Sequence, residues 1–194
     1  MDEKKLLREL SEVRLAIELI ELGARLTLLE SETSLPRTRL LRLYKEVSGA
    51  SPSKGLLPFS EDWFFVWNNN IHASLFYAYF QRLTATSELP RIDALMKAYK
   101  LYVEQVTQDG HELVLDITRA WTLLRFFDAK IMKTASCNCC GGNFVMHAQG
   151  FERNFVCVIC QPPARAGQGK EHLKRQRAQR QLIRHEVYHA LASC

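Results

Sequence analysis

Two C-x-x-C pairs lie close together in this sequence and could hold a metal ion. Cys137 and Cys140 form the first pair, and Cys157 and Cys160 form the second after sixteen intervening residues. Zn²⁺ prefers four tetrahedral donors, and a two-residue gap lets one tight turn present two thiolates. A shell of four thiolates leaves no open position for water, so the spacing predicts one structural zinc ion per chain.

Other readings of these cysteines are possible. Cys139 could replace Cys137 or Cys140, although only Cys137 with Cys140 gives two matching pairs, and His147 could compete for the metal. Cys194 has no obvious partner. Disulfides are the weaker account for a cytosolic chain, because thiols stay reduced there. A redox role would need one C-x-x-C beside a βαβ pattern, and no such pattern is visible.

The segment from Leu26 to Val47 has the pattern of a helix-turn-helix. Leucines fall at its packed positions, and basic residues fall on the other side of its second helix. The leucines are Leu29, Leu35, Leu40 and Leu43, and the candidate DNA contacts are Arg37, Thr38, Arg39, Arg42 and Lys45. A recognition helix reads bases near its N-terminal end, and Arg suits bidentate contacts with guanine and phosphate. The alternative is a helical hairpin with a solvated charged face, because Glu30 and Ser34 replace the usual small residue and turn glycine.

Positive charge is concentrated near the end of the sequence. The formal net charge is +5, and residues 162–194 contain seven Lys and Arg against two Glu, so the remainder balances. Such a segment suits a polyanion such as nucleic acid, and Lys174, Arg175 and Arg177 are further candidate DNA contacts. From charge alone, a solvated tail that aids solubility explains it equally well.

An H-E-x-x-H motif, His185–His189, raises the possibility of a zinc protease. Catalytic zinc needs three protein ligands, and only five residues follow the motif. No Gly-rich phosphate loop and no nucleophile–base pair is evident. We therefore expect that the protein is not an enzyme.

The elements that would position these residues are mainly helical. Apolar periodicity predicts helices over residues 3–30, 36–47, 61–83, 90–106 and 112–133, the third capped by Ser60, and β-like segments over 143–146 and 154–158. We expect a helical bundle over 1–133, with the helix-turn-helix-like segment at 26–47 and core and partner-facing helices over 60–133. A zinc-ribbon-like unit over 134–165 and a basic tail over 166–194 would follow. No apolar run approaches the ~20 residues of a membrane span and the start lacks a secretory pattern, so we expect a cytoplasmic protein.

Several longer motifs resemble one known family. LGARLTLLESET, YKEV, GLLPFSEDWF, HASLF, TRAWTLLRFF and CNCCGGNFVMHA, followed by FVCVICQPPAR, resemble FlhC, the bacterial flagellar master regulators, over about residues 19–165. The resemblance implies a mainly α-helical transcriptional activator whose zinc ligands fall on Cys137, Cys140, Cys157 and Cys160. It also implies a hetero-hexamer of four FlhD and two FlhC chains that binds flagellar promoters and recruits RNA polymerase. The alternative function is a zinc-stabilised protein–protein interaction module without direct DNA contact.

Overall fold

The computed structural model describes residues 3–53, 60–164 and 166, and in these residues the chain is mainly helical, which confirms the expected fold class. The elements, in chain order, are α1 (Glu3–Glu21), α2 (Leu26–Glu32), α3 (Arg37–Ser48), a 3-10 turn (Glu61–Phe65), α4 (Trp67–Thr86), α5 (Arg91–Gln108), α6 (Ile117–Asp128), β1 (Met132–Ser136) and β2 (Asn143–His147). None of the helices described is both long enough and apolar enough to cross a membrane.

The single helix predicted over residues 3–30 is wrong, because the chain turns at Gly23. Gly23 has a φ of +81°, a left-handed conformation that glycine adopts without steric cost. Its amide donates to Ile20 O at 2.9 Å and the Ala24 amide donates to Leu19 O at 2.9 Å, which is the hydrogen-bond pattern of a Schellman helix end. The turn separates α1 from α2.

Three other helix boundaries, and one strand, also differ from the prediction. Ser60 makes no capping hydrogen bond, and a 3-10 turn precedes α4. Asp116, rather than Glu112, caps α6 by accepting a 2.7 Å hydrogen bond from the Arg119 amide. The predicted last helix also extends too far, because residues 132 and 133 already belong to β1. Residues 154–158 form no strand, whereas β2 confirms the β-like segment at 143–146.

The helical core lies chiefly between α4, α5 and α6. It buries large apolar side chains from each of them and from the 3-10 turn: Phe64, Phe76, Phe80, Leu95, Tyr99, Tyr102, Trp121, Leu123 and Leu124. Met132 of β1 and Val145 of β2 join the same core. The strands are therefore packed directly against the helical body.

A buried histidine lies inside this core. His72 Nδ1 of α4 lies 2.8 Å from the Tyr102 hydroxyl of α5, and that hydroxyl also accepts a 3.2 Å hydrogen bond from the Leu115 amide. Burial, and then the charge of His111, lowers the pKa of His72 below its usual 6.5. The imidazole is consequently held neutral near neutral pH, which suits its position between two helices.

Candidate metal centre and basic helix face

A short antiparallel hairpin carries the first cysteine pair. β1 and β2 pair from Met132 with His147 to Ser136 with Asn143, so Cys137 begins directly where β1 ends. The Cys137 amide donates to Gly142 O at 2.9 Å, which closes the loop between the strands. Gly141 has a φ of +72°, so the tight curl behind the sulfurs depends on a residue without a Cβ.

The four cysteines predicted as metal ligands come together in space. The Sγ atoms of Cys137, Cys140, Cys157 and Cys160 all lie within 4.8 Å of one another, and we call this group the four-cysteine cluster. A tetrahedron of sulfurs about 2.3 Å from a zinc ion has edges of about 3.8 Å. The Cys140 and Cys157 sulfurs are separated by 3.8 Å. The donor set and its spacing therefore fit a tetrahedral metal ion.

The two cysteine pairs adopt the same local turn. The Gly141 amide donates to Cys137 O at 2.8 Å, and the Gln161 amide donates to Cys157 O at 2.9 Å, each spanning four residues. Backbone amides also point at the sulfurs: the Cys157 amide lies 3.2 Å from Cys137 Sγ, and the Cys160 amide lies 3.4 Å from Cys157 Sγ. Such donors stabilise thiolates and orient them towards a shared centre.

Hydrogen bonds inside the four-cysteine cluster shift the pKa values of its thiols in opposite directions. Backbone hydrogen bonds, first of all from Cys157, lower the pKa of Cys137 to about 6. The neighbouring thiols, first of all Cys157, raise the pKa of Cys160. A divalent cation bound by these thiols would remove this conflict, because a coordinated thiol is deprotonated.

The two alternative ligands lie outside the four-cysteine cluster. Cys139 is not one of the four residues whose sulfurs converge, although its thiol lies close enough to Cys160 to interact with it. His147 Nε2 lies 3.8 Å from Glu61 Oε1, its Nδ1 accepts a 3.2 Å hydrogen bond from the Gln149 amide, and its ring packs against Phe65. Among the residues described, no other group of three or more potential ligands converges in this way.

One face of α4 holds the hairpin and the cluster against the helical body. The Asn70 side-chain amide donates to Val145 O at 2.8 Å, and the Val145 amide donates to Ser74 Oγ at 2.9 Å. Trp67 Nε1 donates to Val158 O at 2.8 Å, directly beside Cys157. Because Trp67, Asn70 and Ser74 follow helical i, i+3, i+7 spacing, they share one side of α4, which we call the α4 docking face.

The α4 docking face provides hydrogen-bond partners for the free edge of the two-stranded sheet. The outer edge of β2 carries backbone groups that β1 does not pair, and buried backbone groups need partners. At Val145, Asn70 and Ser74 supply both the donor and the acceptor. The sequence predicted this aromatic helix only as part of the core or of an interface, and its polar contacts with β2 were missed. The run of three asparagines, Asn68–Asn70, next to aromatic residues is the signal that could have indicated them.

The helix-turn-helix-like segment has the expected apolar side. Leu29, Leu35 and Leu40 are buried and Leu43 is half-buried. The two residues that departed from the usual pattern have specific partners: Glu30 pairs with Arg37, and the Ser34 amide donates to Glu12 Oε2 at 2.5 Å. The turn between α2 and α3 is therefore fixed to α1.

Hydrogen bonds to α6 fix α2 at both ends. The Arg25 amide donates to Thr118 Oγ1 at 3.0 Å, and Trp121 Nε1 donates to Glu32 Oε1 at 2.7 Å. Since α3 packs on α1 and α2, its exposed side has a fixed orientation relative to the core.

The candidate DNA contacts occupy the exposed side of α3, in two different settings. Thr38, Arg42 and Lys45 lie at its centre, opposite buried Leu40, as their i, i+4, i+7 spacing requires. Arg37 and Arg39 lie at its two edges; Arg37 pairs with Glu30 of α2 and Arg39 with Glu9 of α1. No ion pair of Arg42 or Lys45 is formed within the described residues. We call Arg37, Thr38, Arg39, Arg42 and Lys45 the basic face.

Other predicted features fall outside the described residues. They are Lys174, Arg175 and Arg177 of the basic tail, the His185–His189 motif and Cys194.

Comparison with known proteins identifies relatives along most of the sequence. A family model described as the flagellar transcriptional activator (FlhC) matches residues 1–173. The flagellar transcriptional regulator FlhC of Cupriavidus metallidurans is 51% identical over 168 residues, which cover 87% of this chain and 79% of the relative. That of Yersinia enterocolitica is 50% identical over 167 residues, 86% of each chain, and that of Paraburkholderia phymatum is 50% identical over 191 residues, 98% of this chain and 86% of the relative.

Proposed function

The chain belongs to the FlhC family of flagellar transcriptional activators, and we propose that it is a DNA-binding subunit that acts with FlhD at flagellar promoters and recruits RNA polymerase. Members of this family are flagellar transcriptional regulators rather than enzymes. We therefore assign no catalytic role to the H-E-x-x-H motif.

The observation that carries the proposal is the basic face of α3. Arg42 and Lys45 lie at the centre of the exposed side of a helix that follows a four-residue turn, and Arg37 and Arg39 lie at the two edges of that side. That arrangement can enter a major groove of about 12 Å, with Arg37 and Thr38 at the base-reading end. Arg42 and Lys45, which have no acidic partner in the part of the chain that the structure describes, are suited to phosphates.

The proposed metal is one structural zinc ion per chain. Cys137, Cys140, Cys157 and Cys160 would hold it, and the spacing of their sulfurs fits a tetrahedral ion. Zinc would cross-link two loops that have very little apolar core of their own. In the part of the chain that the structure describes, Phe144 is buried beside Cys137 and Cys157, and Phe155 and Val158 are only partly buried there. Metal binding would then contribute directly to the folding of residues 134–165.

The remaining parts of the proposal concern assembly and the tail. By relationship to the family, the working form is a hetero-hexamer of four FlhD and two FlhC chains in the cytoplasm. We propose that Lys174, Arg175 and Arg177, in the basic region 166–194, add phosphate contacts beside those of the helical region 1–133. Phosphate contacts of this kind add affinity with little dependence on base sequence.

A salt titration of promoter binding tests the proposed function. We expect Arg42→Ala to weaken binding of the full chain, co-purified with FlhD, to a flagellar promoter and to reduce the slope of log K against log salt by about 1, because one phosphate contact is lost. Lys97→Ala is the matched control, since it removes an exposed cation from α5. Equal slopes for Arg42→Ala and the unmodified chain would contradict the assignment of α3.

One observation favours the second candidate function, a protein interaction module. Phe151 is 92% exposed and Ile159 is 55% exposed, and both belong to the segment of sequence that carries the cysteines. Large apolar side chains that are exposed on one patch are typical of protein-binding surfaces. Under this alternative, promoter binding by the assembly would be unaffected by Arg42→Ala, whereas Phe151→Ser would weaken association with a partner protein.

A further inference from the structure

Two of the arginines on the basic face are already bound by carboxylates of the same chain. Arg37 Nη1 pairs with a Glu30 oxygen, and Arg39 Nη1 pairs with a Glu9 oxygen. We propose that Glu9 and Glu30 are positioning and specificity-determining residues for DNA binding, an inference that rests on the proposed function of α3. They hold the two arginines in defined orientations and weaken binding to DNA that lacks the promoter sequence.

The two ion pairs lie at opposite edges of the basic face. Arg37 and Arg39 are two residues apart, so their side chains leave the helix in directions about 200° apart, on either side of Thr38. Glu30 reaches Arg37 from α2, and Glu9 reaches Arg39 from α1. The centre of the face consequently presents unpaired cations, whereas each edge presents a cation already neutralised by a carboxylate.

The position of the carboxylates is maintained by the fold. Glu9 lies on α1 one turn before Glu12, whose carboxylate accepts the Ser34 amide at 2.5 Å and so ties α1 to the turn before α3. Glu30 lies on α2, between the two hydrogen bonds that attach α2 to α6 at Arg25 and Glu32. Neither pair therefore depends on two long side chains meeting on unsupported segments.

The two ion pairs affect binding to promoter DNA and binding to non-specific DNA differently. A guanidinium has five N–H donors, so an arginine that gives one side of its fork to a carboxylate can still direct others at a base edge. Phosphates, by contrast, meet a neutralised arginine and a nearby negative charge. Non-specific binding depends almost wholly on phosphate attraction, so the carboxylates reduce it more than promoter binding.

Isosteric charge removal separates these effects. Glu9→Gln and Glu30→Gln keep a hydrogen-bond acceptor near each arginine but remove the negative charge. Glu18→Gln is the matched control, because Glu18 is also on α1 and is half-exposed, and its carboxylate pairs with Lys100 at 3.5 Å instead of with α3. It lies nine residues from Glu9, about 14 Å along the helix, which exceeds the Debye length of about 8 Å at physiological salt.

The experiment measures the affinity of the full chain, co-purified with FlhD, for a flagellar promoter and for a shuffled duplex of equal length across a salt series. We expect Glu9→Gln and Glu30→Gln each to raise affinity for the shuffled duplex by a factor of about 1.5 to 5, the range of an exposed ion pair. We expect a smaller gain or a loss on the promoter, so that the ratio of the two affinities falls, and a steeper salt dependence.

The outcomes distinguish failure of the role of Glu9 and Glu30 from failure of the proposed function. A specificity ratio and salt slope that match those of Glu18→Gln, while the unmodified assembly still prefers the promoter, would overturn the role of Glu9 and Glu30 and leave the proposed function intact. A fall in affinity for both duplexes would also overturn it. An unmodified assembly without any preference for the promoter would refute the proposed function and this inference together. Equal melting temperatures of the variants would show that the changes reflect binding and not folding.

Discussion

Three consecutive asparagines at the start of α4 allow one prediction to be made in detail. Asn70 is buried and its side-chain amide donates to Phe64 O at 2.9 Å and to Val145 O at 2.8 Å. Asn69 is half-buried and donates once, to Trp63 O at 2.9 Å. Asn68 is exposed and makes no side-chain hydrogen bond in the structure described. Replacing each by Ala therefore removes two, one and no hydrogen bonds.

The expected losses of stability follow from these contacts. An acceptor left buried without its donor costs about 1–3 kcal/mol, so Asn70→Ala, which strands two carbonyl groups, should lower the free energy of unfolding by about 2–5 kcal/mol. Asn69→Ala should cost about 1 kcal/mol, because its carbonyl partner is only partly buried. Asn68→Ala should change stability by no more than about 0.5 kcal/mol.

Thermal and urea unfolding followed by circular dichroism measures this series. We expect Asn70→Ala to lower Tm by roughly 4–20 °C, using about 2–4 °C per kcal/mol for a chain of this size. Hydrogen exchange should also speed up at Val145 in Asn70→Ala more than in the other two variants, since this hydrogen bond holds the hairpin to α4. Equal destabilisation by all three substitutions would refute the argument that the α4 docking face holds β2.

Three further predictions concern the metal centre and the core. Cys157→Ser should abolish metal binding measured by mass spectrometry under native conditions, whereas Cys139→Ser should keep it; retention of metal in both variants would contradict the ligand assignment. Trp67→Phe should cost about 1 kcal/mol in urea unfolding, because the Val158 carbonyl loses its donor; an unchanged midpoint would count against this contact. Since burial lowers the pKa of His72, the unfolded chain binds more protons just below pH 6.5. Stability should therefore fall as pH drops from 6.5 towards the lower pKa of the folded state, by up to about 1.4 kcal/mol per pH unit. His72→Gln should reduce this slope, and identical slopes for both chains would contradict it.

Local signals in the sequence were sufficient for the cysteines and for α3. The paired C-x-x-C spacing predicted which sulfurs converge, because a two-residue gap constrains the backbone over a single turn. Pro36 fixed the start of α3, and the leucines at 29, 35 and 40 identified its buried side. These features depend on residues near one another in the sequence, so periodicity and spacing could reveal them.

Features that depend on distant residues could not be predicted in the same way. The Asn70 side chain donates a hydrogen bond to Val145 O, seventy-five residues later, and Trp121 donates one to Glu32, 89 residues away. The ends of α1 and α6 were missed for a different reason. Apolar periodicity continues through Gly23 and through Lys130, whereas the backbone adopts positive φ at both residues and leaves the helix.

The central claim is that promoter recognition requires zinc bound by the four-cysteine cluster. The decisive measurement is the zinc content and the promoter affinity of the same preparation of full chain with FlhD, before and after removal of metal under reducing conditions. We expect one zinc ion per chain, loss of promoter binding on chelation, and recovery when zinc is restored. Full promoter affinity in a reduced, metal-free preparation would contradict the account.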